Sequence, residues 1–323
     1  MERKDFLKTT TLLTAGSYLL PNTIFGNLHV PKKRLNKVGI QLFSIAQLLE
    51  KDFAGTIAML ANMGYKEIEL FGPYPFSSEA AKNRWQNITP MLGFSGSGYF
   101  GLKDSEVKSI FKDHGLKIPA IHTDLLTLEN HMESLSKAAK TLDFEYVILP
   151  AIPEERRQTL DDYKRIADTF NTIGKAAKET GIKFAYHNHG YGLQEMEGEI
   201  PVQHILENTD PEFVYFEMDV VWTLAGKADP IDYLNKYADR FKLMHVKDMK
   251  TIKTFSGDGG SPKEWMEIFP QITTLGTGEV PLDSIIAAAT KNGVKHFFIE
   301  YERAPSPEIT FKESLDYLTS LRF

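Results

Sequence analysis

The segment FAYHNHG, Phe184 to Gly190, closes an apolar β-like run with two histidines. His187 and His189 are two residues apart, so in an extended strand they point to the same side. Three later apolar runs also carry a metal-ligand side chain: VYFEMD ends in Asp219, FKLMHV holds His245, and HFFIE ends in Glu300. If the four runs are successive parallel strands of one barrel, their C-terminal ends lie side by side. Two imidazoles and two carboxylates then converge on one point, a donor set that suits a divalent cation.

Outward from that segment, strand-like and helix-like stretches alternate. VGIQLF (38–43), KEIELF (66–71), LKIPAIH (116–122) and YVILPA (146–151) read as the earlier strands. Helical apolar spacing covers 53–63, 105–114, about 130–141, 160–180, 202–207, 231–237, 282–291 and about 307–321. Gly64, Gly115, Gly181 and Gly293 stand at helix exits, where glycine is the usual stop. Eight strands alternating with eight helices predict a single-domain α/β fold, the (β/α)8 TIM barrel, over residues 37–323. Two segments are longer than this rhythm needs: 72–103, rich in Gly, Pro, Ser and aromatics, and 250–280, with SGDGGSP and LGTGEV. Both follow strands and so belong to the C-terminal face, as lids and sugar-contacting walls or as floppy connectors.

A chain of 323 residues that is 42% hydrophobic can bury a sizeable core. The net charge of −6, without a long basic cluster, argues against a nucleic-acid partner and suits a small polar or neutral substrate. Residues 1–26 read as an export signal: Arg3 and Lys4 precede an apolar run from about 12 to 25 that Pro21 interrupts. The run is too short for a stable membrane anchor. RKDFLK resembles the twin-arginine export motif, with Lys4 in place of the second arginine. Residues 27–36 read as a polar linker. The expected location is therefore periplasmic, or cytoplasmic if the signal does not function. Cysteine is absent, which excludes a lipid-bearing cysteine and any disulfide.

GIQLF, GLKIPAIH, FAYHNHG, FEMDVVWTLAGKADP, HVKDM, LGTGEVPLD and FFIEYE, in that order, resemble the xylose isomerase-like TIM barrels, also called the sugar phosphate isomerase/epimerase family. The likeness runs over roughly residues 37–320. It implies one divalent cation, with manganese, zinc or cobalt first and magnesium next, held from the ends of strands five to eight. Carried over, the ligands are His187, Asp219, His245 and Glu300. Many family epimerases have glutamate where this chain has His187, and that glutamate serves as ligand and as one of two acid/base carboxylates. The chain thus resembles the YHNH branch, where isomerase, epimerase and dehydratase or lyase chemistry are all open.

Several neighbours stand in phase with these four. His189 lies one step further out, placed to orient a ligand, touch substrate or itself replace His187 on the ion. Glu217 lies one layer below Asp219, as a structural or catalytic carboxylate, and Lys247 lies one layer above His245, on a substrate oxygen or in a salt bridge. His122 can reach substrate from the opposite wall, Trp222 can stack on a sugar face, and Glu69 and Gln41 are lesser candidates. The expected activity is that of an isomerase or epimerase acting on a sugar or keto sugar through a metal-stabilised enediolate. Glu300 is the expected base, and His189 or Lys247 the partner acid. Loss of a β-leaving group instead gives a dehydratase or lyase on a keto sugar or 3-keto glycoside. A non-catalytic periplasmic sugar-binding protein is the alternative outside enzymes and would need no metal. The DNA-repair endonuclease branch of the fold needs more ligands and a basic groove. No P-loop or arginine cluster marks a phosphate pocket, so the expected partner is an unphosphorylated carbohydrate. Such barrels often pair, and a homodimer is compatible with the sequence.

Overall fold

A computed structural model describes residues 33–323; the export signal expected at 1–26 and most of the linker lie outside the described residues. Eight parallel strands close into a barrel: β1 (Gly39–Gln41), β2 (Glu67–Phe71), β3 (Lys117–His122), β4 (Tyr146–Leu149), β5 (Lys183–His187), β6 (Val214–Asp219), β7 (Phe241–Val246) and β8 (His296–Ile299). Each pairs with its sequence neighbours, and β8 returns to β1. The TIM barrel read from the sequence is the fold. Strands covered on both faces have no polar side to display, which is why they appear as short continuous apolar runs.

The barrel interior is plugged by Ala120, Tyr146, Ile148, Ala185, Leu243 and Phe298. Side chains two apart along a strand share a face. Two residues beyond Ala120, Ala185, Leu243 and Phe298 come His122, His187, His245 and Glu300, which therefore face inward just above the plug. Where the plug meets β1 only glycine fits, because a Cβ on Gly39 would stand 2.4 Å from the Phe298 ring.

Helices cover the outside within one or two residues of the expected bounds for most of the chain. Phe53–Met63 starts at Asp52, whose side chain accepts the Gly55 N–H, and stops at Gly64 with φ 113°. Leu160–Glu179 opens with a Thr159–Asp162 capping box and buries Tyr163, Ile166, Phe170, Ile173 and Ala177 at helical spacing.

The two long segments are ordered rather than floppy. The first carries a helix, Glu79–Leu92, capped by Ser78 and without a buried residue. Glu50 holds its exit by accepting the N–H groups of Ser95 and Gly96, both at 3.0 Å. The second carries a short antiparallel pairing of Asp248–Met249 with Ile272–Thr273, and the helix Pro262–Ile268. Its anchor is Asp248, 1% exposed, whose carboxylate accepts N–H groups from Met249 (2.8 Å), Gly276 (2.9 Å), Gly278 (3.0 Å) and Val280 (3.2 Å). Among the described residues no helix is long and apolar enough to cross a membrane.

Candidate metal centre

The ends of β5 and β6 are tied together before any ligand is considered. Asn188 accepts the Asp219 N–H at 3.1 Å and donates to Thr223 Oγ1 at 3.1 Å. Asp219 Oδ1 in turn accepts the Trp222 N–H at 2.8 Å, capping the helix Val220–Ala225. The second oxygen, Oδ2, is left buried with no hydrogen-bond donor directed at it, although Lys247 Nζ lies 3.0 Å away. Around Oδ2 stand His187 Nε2 at 4.0 Å and His245 Nδ1 at 3.9 Å, and His245 Nδ1 is 2.7 Å from Glu300 Oε2. The structure thus brings three of the four expected ligands together, Asp219, His245 and Glu300 offering atoms that all lie within 4.8 Å of one another, while His187 meets this group at Asp219 and is otherwise grouped with His122, Glu217 and His245. Atoms 4 Å apart are too distant to hydrogen-bond but can share one ion at bond lengths of about 2.0–2.2 Å. The donor set and the orphaned oxygen fit a divalent cation.

The ring nitrogens turned away from that point rest on a lower layer. His187 Nδ1 lies 3.0 Å from Glu217 Oε2. Burial, reinforced by the charge on His245, holds the His187 pKa well below the usual range. A neutral ring donates Nδ1–H to Glu217 and turns its Nε2 lone pair toward Asp219, the tautomer a metal ligand needs. His245 sits between carboxylates on both sides, with Nε2 2.6 Å from Glu69 Oε2 and 3.3 Å from Glu217 Oε2. Burial opposes its charge, but Glu217, Glu300 and Glu69 together raise its pKa well above the usual value. A cation at the upper point would take the place of its Nδ1 proton.

His122 and Glu69 belong to the lower layer and not to a substrate wall. His122, 7% exposed, lies 2.8 Å from Glu217 Oε2 and 3.2 Å from Glu69 Oε2, its ring parallel to His245 at 5.3 Å. Glu69 is fully buried and accepts from Gln41 Nε2 at 2.8 Å. These contacts engage His122 Nε2 and Glu69 Oε2, while Glu69 Oε1 is buried without a hydrogen-bond partner. His122, His187, Glu217 and His245 also place one ligand-type atom each within 4.8 Å, so His245 is shared between two donor groups. Glu217, whose role the sequence left open, supports both histidine rings from below.

Lys247 is completely buried, with Nζ 2.7 Å from Glu300 Oε2, 3.0 Å from Asp219 Oδ2 and paired with Glu302. Burial would raise the Glu300 pKa, yet the Lys247 and His245 cations hold it well below the carboxylate range. Burial pushes Glu302 up to about 7, against the pull of Lys247. Glu302 escaped the sequence analysis; in FFIEYE it is two residues past Glu300 and shares its face, and that phase was the available signal.

His189 is partly exposed, and its Nδ1 lies 2.5 Å from the Pro150 carbonyl. A carbonyl can only accept, so Nδ1 carries the proton. Burial and the Lys247 charge hold the imidazole at a pKa of about 3, leaving Nε2 as an acceptor with no proton to give. The expectation that Trp222 stacks on a sugar is corrected by its burial. It is 1% exposed, with Phe255 stacked at 5.9 Å and Lys247 Nζ 5.0 Å from the ring centre. The partly exposed tryptophan beside the site is Trp265, whose ring lies 5.3 Å from His189. The sequence had shown it only as one aromatic residue within a long loop.

A parallel barrel with imidazole and carboxylate donors gathered above its plug, at the C-terminal ends of β5 to β8, defines a TIM barrel with a buried cluster that could hold a metal ion. The xylose isomerase-like TIM barrel profile matches residues 57–321, and the chain belongs to that family. An inosose dehydratase of Clostridium tetani is 27% identical over 204 residues, a span that covers 62% of this chain and 65% of that protein, just under two thirds of its length. A sugar phosphate isomerase/epimerase from Parabacteroides distasonis superposes with a TM-score of 0.69 at 25% identity, covering 88% of this chain and 98% of that one. IolI, solved with a bound zinc atom, superposes at 0.61 with 14% identity over 87% and 95% of the two chains.

Proposed function

We propose that the chain is a metal-dependent enzyme that removes the proton α to the carbonyl of an unphosphorylated cyclic keto sugar or keto polyol, after which a neighbouring hydroxyl leaves as water. The observation that carries this is the convergence of buried Asp219 Oδ2, with only the Lys247 ammonium at 3.0 Å, on His187 Nε2, His245 Nδ1 and the Glu300 carboxylate. A divalent cation bound there would polarise the substrate carbonyl and stabilise the negative charge that proton removal creates. The zinc in IolI supports zinc as that ion, with manganese, cobalt and magnesium as the other candidates.

The chain's own groups divide the remaining work. Glu300, held ionised by Lys247 and His245, accepts the α-proton. The Lys247 ammonium, 2.7 Å from Glu300 Oε2, supplies a proton or hydrogen bond to the departing hydroxyl on the same side. His189 Nε2 accepts from a substrate hydroxyl and fixes the ring's orientation. Elimination can proceed with one base and one acid on one side, whereas epimerisation exchanges a proton on both faces. With His187 in place of the glutamate that many family epimerases carry, Glu300 is the proposed base and Lys247 the proposed acid, an arrangement that supports elimination, as does the likeness to an inosose dehydratase. The basic groups nearest the site are already engaged, Lys247 by three carboxylates and Arg157 by the Ile152 and Gly260 carbonyls, which supports a substrate without phosphate.

Elemental analysis of the full-length protein beside His187→Ala and Glu300→Gln tests the centre. Near-stoichiometric metal that falls in both variants is expected. No metal after reconstitution would overturn the enzyme reading and favour a sugar-binding protein. Keto polyols and keto sugars followed by NMR in deuterated buffer then separate the chemistries. Loss of water marks the dehydratase, while isomerisation or epimerisation exchanges the α-proton at unchanged composition. Export is proposed on residues 1–26 and is checked by N-terminal sequencing of the protein from its native host.

A further inference from the structure

Four rings run from the core to the mouth beside the candidate centre: Phe255, Trp222, His189 and Trp265, with centroids 5.9, 6.0 and 5.3 Å apart in turn. Phe255 and Trp222 are 2% and 1% exposed, while His189 and Trp265 are partly open. The His189 ring lies 4.7 Å from that of His187, so the open end of the row adjoins the ligand set. Trp265 has spent its polar edge, since Nε1 donates to the Gly259 carbonyl at 2.8 Å. With that bond made, the rest of the partly open indole is apolar.

The segment that carries Trp265 is pinned from several sides. Its helix, Pro262–Ile268, opens with a Ser261–Glu264 capping box, and Glu264 Oε1 also accepts the N–H groups of Gly257 at 2.8 Å and Gly259 at 3.2 Å. Arg157 reaches across from the loop after β4, donating to the Gly260 carbonyl at 2.7 Å while its guanidinium stacks 4.0 Å over Tyr191. The Phe255 N–H is bound by the Ala225 carbonyl at 2.8 Å. A large aromatic ring fixed this firmly, yet left partly open beside a polar centre, has the form of a ligand platform.

We infer that Trp265 is the specificity-determining platform of the site, on which the C–H face of a six-membered polyol or pyranose ring lies while His189 Nε2 accepts one of its hydroxyls. The inference rests on the reading above, which proposes a cyclic substrate, and names the residue that would select for the closed ring. A closed ring presents several C–H bonds on one flat face, and an aromatic plane covers such a face without stripping water from the hydroxyls. An open-chain sugar of the same composition has no continuous face to offer. The wall therefore selects by shape, and it does so away from the groups that perform the chemistry.

The test uses the full-length protein, reconstituted with zinc, and two unreactive probes: myo-inositol as ring and sorbitol as open chain, with dissociation constants from ligand-observed NMR. Wild type is expected to bind myo-inositol more tightly than sorbitol. Trp265→Ala should weaken myo-inositol roughly tenfold, with Trp265→Phe near wild type and sorbitol unmoved. Should Trp265→Ala fail to fold, Trp265→Leu decides, because it keeps apolar bulk without a flat face and should show the same loss. Ring binding indifferent to position 265 would overturn the inference alone. A wild-type protein that binds neither polyol would overturn both it and the cyclic-substrate reading.

Discussion

Replacing Lys247 by methionine removes a buried charge while keeping most of the side chain's volume. The ammonium lies 2.7 Å from Glu300 Oε2 and 3.0 Å from Asp219 Oδ2, with Glu302 as a third partner. At an effective dielectric near 20, each of the two measured contacts amounts to roughly 6 kcal/mol of attraction before desolvation is counted. Desolvation of a buried ion cancels much of this, and breaking such a network by removing one partner costs about 3–5 kcal/mol net. For a domain of this size that lowers the melting temperature by roughly 10 °C. The figure applies to protein in chelator. A divalent cation on Asp219 and Glu300 compensates the same two carboxylates, so added zinc or manganese should close more than half of the gap between variant and wild type. The variant should also bind metal more tightly, because no ammonium then competes for the two oxygens. Thermal unfolding with and without chelator, with calorimetric metal titration, reads both effects. A melting gap of equal size in both conditions would refute the reasoning, since it would show that Lys247 and the ion do not act on the same carboxylates.

Glu217→Gln keeps an acceptor but no longer holds both histidine rings with a charged oxygen, so metal affinity should fall 10- to 100-fold by competition with a chelating dye, with the fold intact by circular dichroism. Asp248→Ala leaves four backbone N–H groups of the 248–280 segment without their acceptor. It should cost roughly 3–4 kcal/mol in urea unfolding and speed proteolysis within that segment; unchanged protection would show that the segment is held by other contacts. Gly39→Ala drives a Cβ to 2.4 Å from the Phe298 ring and should cost about 1–3 kcal/mol, part of it recovered by Phe298→Leu in the same chain.

How much of this was legible in the sequence depended on whether the signal was local. The barrel was, because each strand is short, apolar and set off by a helix with a readable apolar stripe or glycine stop, and the inward phase of His187, His245 and Glu300 follows from alternation alone. What lay across the barrel was not. The contacts of His122 with Glu217, and of Glu69 with His245, join residues 95 and 176 positions apart. Nothing in the spacing of either pair announces that these groups face each other instead of a sugar. Trp222 and Trp265 show the same limit. Both are tryptophans beyond a barrel strand, and only the packing of Phe255 and Lys247 on the first separates a core ring from an open one. The helix Glu79–Leu92 passed unseen because it buries nothing, so it carries no apolar stripe to read.

The charges at the centre explain why an imidazole can stand at the end of β5. With His187 and His245 neutral, Asp219 and Glu300 supply two negative charges, which a divalent cation balances, and Lys247 is then left to Glu302 as a separate neutral pair. A glutamate at position 187 would add a third carboxylate to the ligand set and leave it one charge in excess. Without an ion, Asp219, Glu300 and Glu302 face the Lys247 ammonium and the protonated His245, with Lys247 Nζ 3.0 Å from Asp219 Oδ2. A cation bound there would take the place of the His245 proton, and under the proposed function Lys247 would act as the acid. By the resemblance to the family's epimerases, histidine at position 187 would also leave out a second proton-transferring carboxylate. Chemistry that shuttles a proton between two carboxylates becomes less accessible, and chemistry that pairs one carboxylate with one ammonium, as elimination does, becomes the more natural use of the same barrel.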